Sequence, residues 1–520
     1  MASAILASSM AFIDSKALNV VLPSLQKSLQ ATGADLFWIL NAYLLMLAAL
    51  ILVGGSLGDR LGRKKVFMTG IFVFITGSAA CGLSPDTDRL ILSRVIQGIG
   101  GALMIPGSLA LISSSIDEKE KGKAIGTWSA ATTMVTMGGP ILGGALADAG
   151  LWRYIFFINV PIGIATLLIL WRTETPDPTR TDSSSHPHLP AGKPSPRPEQ
   201  KPDTRISRLD LPGATSIALG LAAMTFGFLR MPALGFRHWA VWGSLTAGLI
   251  LLALFIVIER RSKHPMMPLP LFANPVFTGV NALTFFLYAG LGAGMLFLSL
   301  NLVQAQGYRQ LYSGMTFLPF TILMILLARP AASLSDRIGP RLFLTIGPAT
   351  AAAGLLLLSF IGQTRGPAGY WTSFLPGMLV LGLGMSLTVA PLTTTVMRSV
   401  SDEHSGLASG VNNAMTRISN VFANAIFGAL AVMLFTASLR QRLDTMHLTP
   451  ATKTAAIAQT ADLGNAHVPD TVPAADKAAA SEAYRAGFIG VYQQMLRLAA
   501  ALAFAAAGIG WVAVRRPAHP

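Results

Sequence analysis

Asp14, Lys16 and Arg94 are ionisable residues in runs of sequence that are otherwise almost entirely apolar. A helix rises about 1.5 Å per residue, so Asp14 lies about 20 Å into the first apolar run. Because burial disfavours the ionised form, a carboxylic acid at that depth can bind and release protons. Ionisable residues inside membrane spans are costly and generally mark ion or substrate pathways. These residues therefore predict proton and ligand binding inside a membrane; an acid that only bonds a neighbouring helix is the alternative.

The fourth apolar run contains the expected partner of Asp14. Arg94 and Gln97 are three residues apart and share one face of a helix. A buried arginine needs an anionic partner or several acceptors, and Asp14 is the only acid placed deep in a predicted span. We therefore expect Arg94 and Asp14 to interact, either as a purely structural pair or in proton coupling. Lys16 points about 200° away from Asp14 around the helix, so the two side chains do not share a face. Either one of them lines a cavity while the other contacts a different helix, or Lys16 is held in its neutral form.

Composition identifies the class of protein and excludes several functions. The 520 residues are 52% hydrophobic and 12% charged, with a mean hydropathy of +0.55, which is typical of an integral membrane protein. The net charge of +15 is spread over short loops between apolar runs, so we expect no nucleic-acid partner. The single cysteine, Cys81, excludes an internal disulfide. The sequence contains no Walker-type loop, zinc-spaced His/Cys set or nucleophile elbow, so we predict no cofactor, no metal and no enzymatic activity.

Hydropathy predicts an all-α membrane protein with fourteen spanning helices. Two similar charged segments near 59 and 336 each follow the second helix of a six-helix set. We therefore expect 1–171 to form a six-helix half, 172–208 a cytoplasmic linker rich in Pro, Ser and basic residues, 209–260 two inserted helices, and 261–520 a second six-helix half. A long extracytoplasmic loop is predicted at 438–483, with a composition that has room for a short helix. Lys and Arg concentrate in the loops on one side, which predicts that both termini are cytoplasmic.

A glycine-rich charged loop joins the second and third apolar runs. Its characteristic residues are Gly55, Gly58, Asp59, Arg60, Gly62 and Arg63, and a shorter copy with Asp336, Arg337 and Gly339 follows the second helix of the second half. The first loop resembles the loop signature of the major facilitator superfamily, and the fourteen-span plan resembles its drug:proton antiporter family. The resemblance implies two six-helix repeats around a central cavity, with both loops serving as gates on the cytoplasmic side.

Two helical motifs extend the resemblance to the predicted proton site. Asp14 is followed by Asn19 and then by a Leu-Pro pair, as in the first helix of that family, where the acid is tied to proton coupling or to cationic substrates. Arg94 and Gln97 with the glycines after them resemble the family motif whose arginine is thought to help proton transfer. Lys16 departs from the pattern, since the family usually has an uncharged residue there. A lysine in the cavity would disfavour lipophilic cations.

The fifth apolar run carries a motif that the resemblance associates with exporters. Its matching residues are Gly126, Gly139, Pro140, Gly143 and Gly144, while Val135 stands where the family has a glycine. Proline loosens a helix and small residues let it pack closely on a partner, so this helix is expected to act as a hinge that seals one face of the cavity.

A polar stripe on the thirteenth run supplies the remaining cavity candidates. Asn413, Arg417, Asn420 and Asn424 recur at spacings of four, three and four, which places them on one helix face. Such a stripe cannot face lipid, so it faces either a cavity or neighbouring helices, and interhelical hydrogen bonding is the plain alternative. Tyr288 on the ninth run is a further candidate.

Together these features predict a proton-coupled secondary transporter that exports hydrophobic drug-like compounds or metabolites across a cytoplasmic (inner) membrane, with compact loops that favour a bacterial source. Its expected partners are a small-molecule substrate, protons and the lipid bilayer, and no feature identifies a periplasmic adaptor protein. One alternative is a carrier for a narrow class of anionic metabolites that uses Lys16. Another is a non-transporting receptor or assembly partner that uses the 438–483 loop.

Overall fold

The computed structural model describes residues 1–115, 118–173, 210–262, 265, 267, 269–401, 405–445, 449–470 and 472–514. Residues 174–208 of the predicted linker lie outside this set. The side chains of Asp59 and Arg60, and the surroundings of Gly126, also lie outside it, although the backbone at all three positions is helical.

Fourteen long helices make up the fold, and the part of the chain that the structure describes contains no strand. They are α1 Ala2–Leu29, α2 Gly33–Leu61, α3 Arg63–Leu83, α4 Thr87–Ser115, α5 Glu118–Asp148, α6 Asn159–Arg172, α7 Leu211–Leu234, α8 Trp239–Arg261, α9 Pro275–Leu300, α10 Leu318–Ile338, α11 Pro340–Ser359, α12 Phe374–Arg398, α13 Ser405–Asp444 and α14 Lys477–Ala513. Thirteen helical segments among the described residues are long and apolar enough to cross a membrane. The remaining predicted span corresponds to α5, which includes residues whose side chains are not described.

Glycines set the two sharp connections that the sequence pairs as repeats. Gly62 links α2 to α3 with φ of 96°, and Gly339 links α10 to α11 with φ of 103°. This left-handed backbone region is unfavourable for residues with a side chain, so glycine is needed at both positions. The two charged segments expected as loops are therefore helical up to these glycines, and each chain reversal is confined to one glycine.

Packing repeats between the halves. In the first half, α1 packs on α5, while α2 and α3 both pack on α4. In the second half, α9 packs on α13, while α10 and α11 both pack on α12. The sixth helix of each half, α6 or α14, contacts the first and third helices of that half. This is the parallel-repeat plan of transporters whose halves enclose a midplane site.

The inserted helices α7 and α8 form a hairpin beside the seam between the halves. α7 packs against α2 of the first half and α13 of the second. Leu45, Ile217, Leu221 and Val421 belong to one apolar cluster at this place. The pair therefore covers one side of the seam.

The halves also meet at the end of the bundle where α1 ends and α2 begins, which we call the Thr32 end. The opposite end contains the connection between α2 and α3, and we call it the Gly62 end. At the Thr32 end, Gln26 of α1 donates from Nε2 to the carbonyl oxygen of Asp462 at 2.9 Å. Asn465 and Gln304 each donate to Oε1 of Gln26, at 2.9 and 3.1 Å. Two segments of the second half, Gln459–Asn465 and Asn301–Ala305, thus close over α1.

The loop between α13 and α14 is shorter than the predicted 438–483. α13 continues to Asp444 and α14 begins at Lys477, with a short helix, Pro450–Ala458, between them. The extra turns are helical because they bury further apolar side chains: Leu439, Leu443 and Ala480 are all fully buried. Their apolar spacing continues the helical faces beyond the predicted spans.

Candidate functional site

Asp14, Arg94 and Gln97 form a buried polar cluster between α1 and α4, which we call the Asp14 cluster. Their exposed fractions are 0%, 1% and 0%. Arg94 Nη1 lies 2.6 Å from Asp14 Oδ2 and donates to Gln97 Oε1 at 2.8 Å. Gln97 Nε2 donates to Asp14 Oδ1 at 2.9 Å, and Arg94 Nε donates to the carbonyl of Ile39 at 3.3 Å. The contact expected between Arg94 and Asp14 is present, and both carboxylate oxygens have a donor.

Tyr43 of α2 lies against this cluster. The Arg94 guanidinium carbon is 4.3 Å from the centre of the Tyr43 ring, within the range of a cation–π contact. Gly98 makes this approach possible, because a Cβ there would lie 2.7 Å from the Tyr43 carbonyl oxygen. The glycines after Gln97 thus let α2 pack close enough to cover the ion pair.

Lys16 leaves α1 in a different direction from Asp14 and is exposed, whereas Asp14 is fully buried. The positive charge of Arg417 on α13 acts on Lys16 electrostatically. Asn19, one turn further on, accepts a hydrogen bond at its carbonyl oxygen from Ser299 Oγ of α9 at 3.2 Å. This face of α1 is therefore directed at the second half. Asn19 contributes its backbone carbonyl in the contact described.

The polar stripe of α13 has members in different surroundings. Asn424 Nδ2 donates across the seam to Asn41 Oδ1 at 3.2 Å, so it joins the two halves. Asn420 packs against Gly292 of α9, and Asn413 bonds the carbonyl of Ser409 within its own helix. Arg417 is half-buried and interacts electrostatically with Tyr43 and Tyr288. The stripe therefore combines seam contacts with one charged residue at the centre.

A second polar contact of α13 escaped the sequence analysis. Asn412 Nδ2 donates to Asn281 Oδ1 at 3.1 Å and to Thr284 Oγ1 at 2.7 Å, both on α9. Asn281 and Thr284 are three residues apart in an otherwise apolar run, and that spacing was a signal that could have found them.

The motif on α5 lies between the two halves. Gly139 and Gly143 face α1, and a Cβ on Gly143 would lie 2.7 Å from the carbonyl oxygen of Ala17. Pro140 and Gly144 face the short helix Gln310–Met315, which precedes α10. At the end of α5, Asp148 accepts from the backbone N–H groups of Gln310 and Leu311 at 2.9 and 3.1 Å. Asp148 thus caps a helix of the other half, a role that the sequence analysis missed.

The residues of the predicted gate lie at the Gly62 end. Asp336 Oδ1 lies 2.7 Å from Arg398 Nη1, and this pair joins the ends of α10 and α12 inside one half. Arg337 and Arg63 are exposed. Gly55 and Gly58 have room for a Cβ, the nearest heavy atoms being 3.7 and 3.9 Å away, so close helix approach does not require glycine at either position. Among the described residues, no group of three His, Cys, Asp or Glu side chains could hold a metal ion.

Two parallel six-helix repeats that meet along a central seam are the plan of multi-pass secondary transporters. The family model described as Major Facilitator Superfamily matches residues 4–424, and the chain belongs to that superfamily.

Relatives and solved structures agree with this assignment. The chain is 31% identical to the multidrug resistance protein Stp of Mycobacterium tuberculosis over 84% of its own length and 76% of that protein. It is 28% identical to a tetracenomycin C resistance and export protein of Streptomyces glaucescens, over 96% of this chain and 88% of the relative. A bacterial homologue of the human lysosomal transporter Spinster has the same fold, with a TM-score of 0.63 at 18% identity, over 99% of this chain and 98% of the other.

Proposed function

We propose that this protein is a proton-coupled antiporter that exports hydrophobic, drug-like compounds across the cytoplasmic membrane by alternating access. The observation that carries the coupling is the Asp14 cluster, a fully buried carboxylate whose two oxygens are both held by side chains of α4. Relatives named for multidrug resistance and antibiotic export support the direction and the substrate class. Membership of the superfamily favours transport over the receptor alternative.

Protonation of Asp14 is the proposed driving event. The ionised carboxylate is stabilised by Arg94 and Gln97, which bind its two oxygens. A proton on Asp14 removes the negative charge and leaves the guanidinium of Arg94 buried without its anion, which is costly. The free energy of packing α1 on α4 therefore depends on whether Asp14 carries a proton, and that dependence can bias the rocking of the halves.

The contacts that open and close the cavity lie at the two ends of the helix bundle. We propose that the Gly62 end, which carries the basic loops, is cytoplasmic, and that both termini lie on that side. Contacts of Gln26 and Asp148 with the second half hold the Thr32 end closed and have to separate when the cavity opens outward. The helix ends that carry Asp59 and Asp336 are the proposed gates at the cytoplasmic end.

Everted membrane vesicles with an acid interior test the proposal. Cationic, neutral and anionic hydrophobic compounds are added one at a time, and the pH gradient is followed with a fluorescent weak base. We expect at least one compound to collapse the gradient with the wild-type protein, and Asp14→Asn to abolish that response while the protein remains folded in the membrane.

Asp88→Asn is the matched control, because Asp88 is an exposed acid in the first turn of α4. It should respond like the wild type. Full activity of Asp14→Asn would contradict the coupling role of Asp14.

A further inference from the structure

We infer that the seam between the halves contains a binding site for the acidic group of an organic anion, formed by Lys16 of α1 and Arg417 of α13. The inference rests on the proposed export function and specifies the chemical class of the compound exported. It is carried by two basic side chains from opposite halves that lie on helix faces directed at the seam and, among the described residues, have no ion-pair partner.

Lys16 lies on the face of α1 that meets the second half. Asn19, one helical turn further on, bonds Ser299 of α9, so this face points across the seam. The Cβ of Lys16 is 3.1 Å from the place of a Cβ on Gly139, which shows that α5 runs beside the base of the side chain. Even so, the side chain as a whole is exposed. Its ammonium group is therefore available to a ligand in the space between the halves.

Arg417 approaches the same space from α13. Asn424, two helical turns further on in the same stripe, donates to Asn41 of α2 across the seam, so this face of α13 points at the first half. The charge of Arg417 also acts on Lys16, Tyr43 and Tyr288. Tyr288 is partly exposed, and its hydroxyl group can donate a hydrogen bond to an anion. The stripe of polar residues around Arg417 keeps this part of α13 turned away from lipid.

No carboxylate neutralises the two cations in the described part of the chain. Asp14, the nearest acid along α1, has both oxygens bound by Arg94 and Gln97. Every other ion pair found among the described residues lies outside this region and includes neither Lys16 nor Arg417. Two like charges in a medium of low dielectric constant repel strongly, and an anion between them relieves that cost.

The residue types indicate what the anion is. A guanidinium presents a planar fork that matches a carboxylate or sulfonate, and an ammonium adds a strongly attractive point charge. The expected compound has an apolar body with one acidic group. A lipophilic cation would meet two like charges, which selects against it.

Tyr43 connects this site to the Asp14 cluster. Its ring lies under Arg94, and its side chain interacts electrostatically with Asp14, Arg94 and Arg417. An anion bound at Arg417 and a proton bound at Asp14 therefore act on one shared neighbour. We regard Tyr43 as a positioning residue between the two sites.

Pairs of compounds that differ only in charge test the site. Purified protein in phosphatidylcholine nanodiscs is titrated with dansylglycine and its neutral amide, and with 1-naphthoate and 1-naphthamide. We expect the wild type to bind the acid of at least one pair about 10-fold or more tighter than the amide. Lys16→Met and Arg417→Gln should each weaken binding of that acid by about 10- to 100-fold and leave the amide unchanged.

Conservative variants keep the test independent of folding. Lys16→Arg and Arg417→Lys retain the charge and should retain the preference for the acid. Lys27→Met is the control, because Lys27 is an exposed lysine at the end of the same helix. Equal binding of acid and amide, or an acid preference that survives Lys16→Met and Arg417→Gln, would overturn the inference.

Further outcomes distinguish a lipid headgroup from an exported acid as the bound anion. They also distinguish failure of the anion site from failure of the proposed function. If phosphatidylglycerol displaces the acid and the acid is not exported by the vesicles, the site belongs to a lipid headgroup and the inference is overturned. If a neutral or cationic compound collapses the gradient in an Asp14-dependent way while no acid is preferred, antiport holds and only the anion site fails. If no compound is transported, the proposed function fails, and this inference fails with it.

Discussion

Arg94 is among the largest fully buried side chains of the protein, and its charge is held by Asp14. Such a pair adds little net stability, because removing two charges from water costs about as much as their attraction returns. Losing one partner is different, since it leaves an uncompensated charge inside the bundle. At the scale of single residues, the stability of the pair therefore depends strongly on the charge of each partner. This dependence makes the pair suitable for coupling proton binding to transport.

A stability measurement on three variants tests this interpretation. Arg94→Gln should lower the free energy of unfolding by about 3–5 kcal/mol, because Asp14 is left buried without a cation. Adding Asp14→Asn should restore most of the loss. Cys81, the only cysteine and fully buried, can report unfolding by its reaction with a fluorogenic maleimide during heating.

The control for this series is Arg89→Gln. Arg89 is an exposed arginine on the same helix that pairs with Asp86 at 3.3 Å, and exposed pairs contribute about 0–1 kcal/mol. An equal loss in Arg94→Gln and in the double variant would show that the charge of Asp14 is not the cause.

The sequence was sufficient to predict the Asp14 cluster because each buried charge demands a partner and only one acid lay deep in a span. It was not sufficient for Asp148, which stands at the end of an apolar run like many loop acids. The partner of Asp148 is the backbone of Gln310, 162 residues away. Every residue has a main chain, so a contact to a main-chain group cannot be predicted from the partner's residue type. Contacts of this kind help to close the Thr32 end.

At the scale of elements, α5 is a helix of the first half that also contacts the second half. One of its faces packs on α1 through Gly143, and another packs on the short helix before α10 through Gly144. Any rocking of the halves has to change the second contact. The prediction of a closely packed hinge agrees with these contacts and remains a prediction about motion.

Two glycines of α5 give a matched pair of substitutions. Gly143→Leu should abolish transport and lower the unfolding temperature, because even a Cβ would lie 2.7 Å from the Ala17 carbonyl oxygen. Gly138→Leu should do neither, since no heavy atom lies within 4 Å of its Cβ position. Gradient collapse in vesicles and the Cys81 reaction measure the two effects.

A result with the opposite order would contradict the packing described for α5. Normal transport by Gly143→Leu, or an equal loss in Gly138→Leu, would show that this helix does not depend on close contact with α1.

At the scale of the whole molecule, the apolar runs were enough to predict fourteen helices, because each helix had to be long enough to span a bilayer. Their division into two halves was predicted from the repeated charged segment and the family resemblance. The apolar runs could not predict that the ends of α13 and α14 extend beyond the predicted spans. Hydropathy identifies the residues that cross the hydrocarbon core of the bilayer, and a helix can continue past them. The way the loop between them docks on Gln26 depends on side-chain amides that are common in any polar loop.

The proposed orientation predicts opposite accessibility at the two ends. Ala451→Cys lies in the short helix between α13 and α14, and Thr173→Cys lies at the end of α6; both positions are exposed. A membrane-impermeant maleimide applied to intact cells should label Ala451→Cys and should label Thr173→Cys only after the cells are permeabilised. The native Cys81 is buried and serves as the unlabelled background. The reverse pattern would invert the proposed topology.

Lys16 and Arg417 also have a consequence for the energy available to the transporter. Exchanging one exported monoanion for one imported proton moves two positive charges inward, whereas a monocation in the same exchange moves none. Each charge contributes about 2.3 kcal/mol per 100 mV of membrane voltage. An anionic cargo would thus gain about 4.6 kcal/mol at 100 mV, equivalent to a steady-state concentration ratio of about three powers of ten before any pH difference is added. Two side chains at the seam would thus set how many charges the membrane voltage moves in each cycle of export.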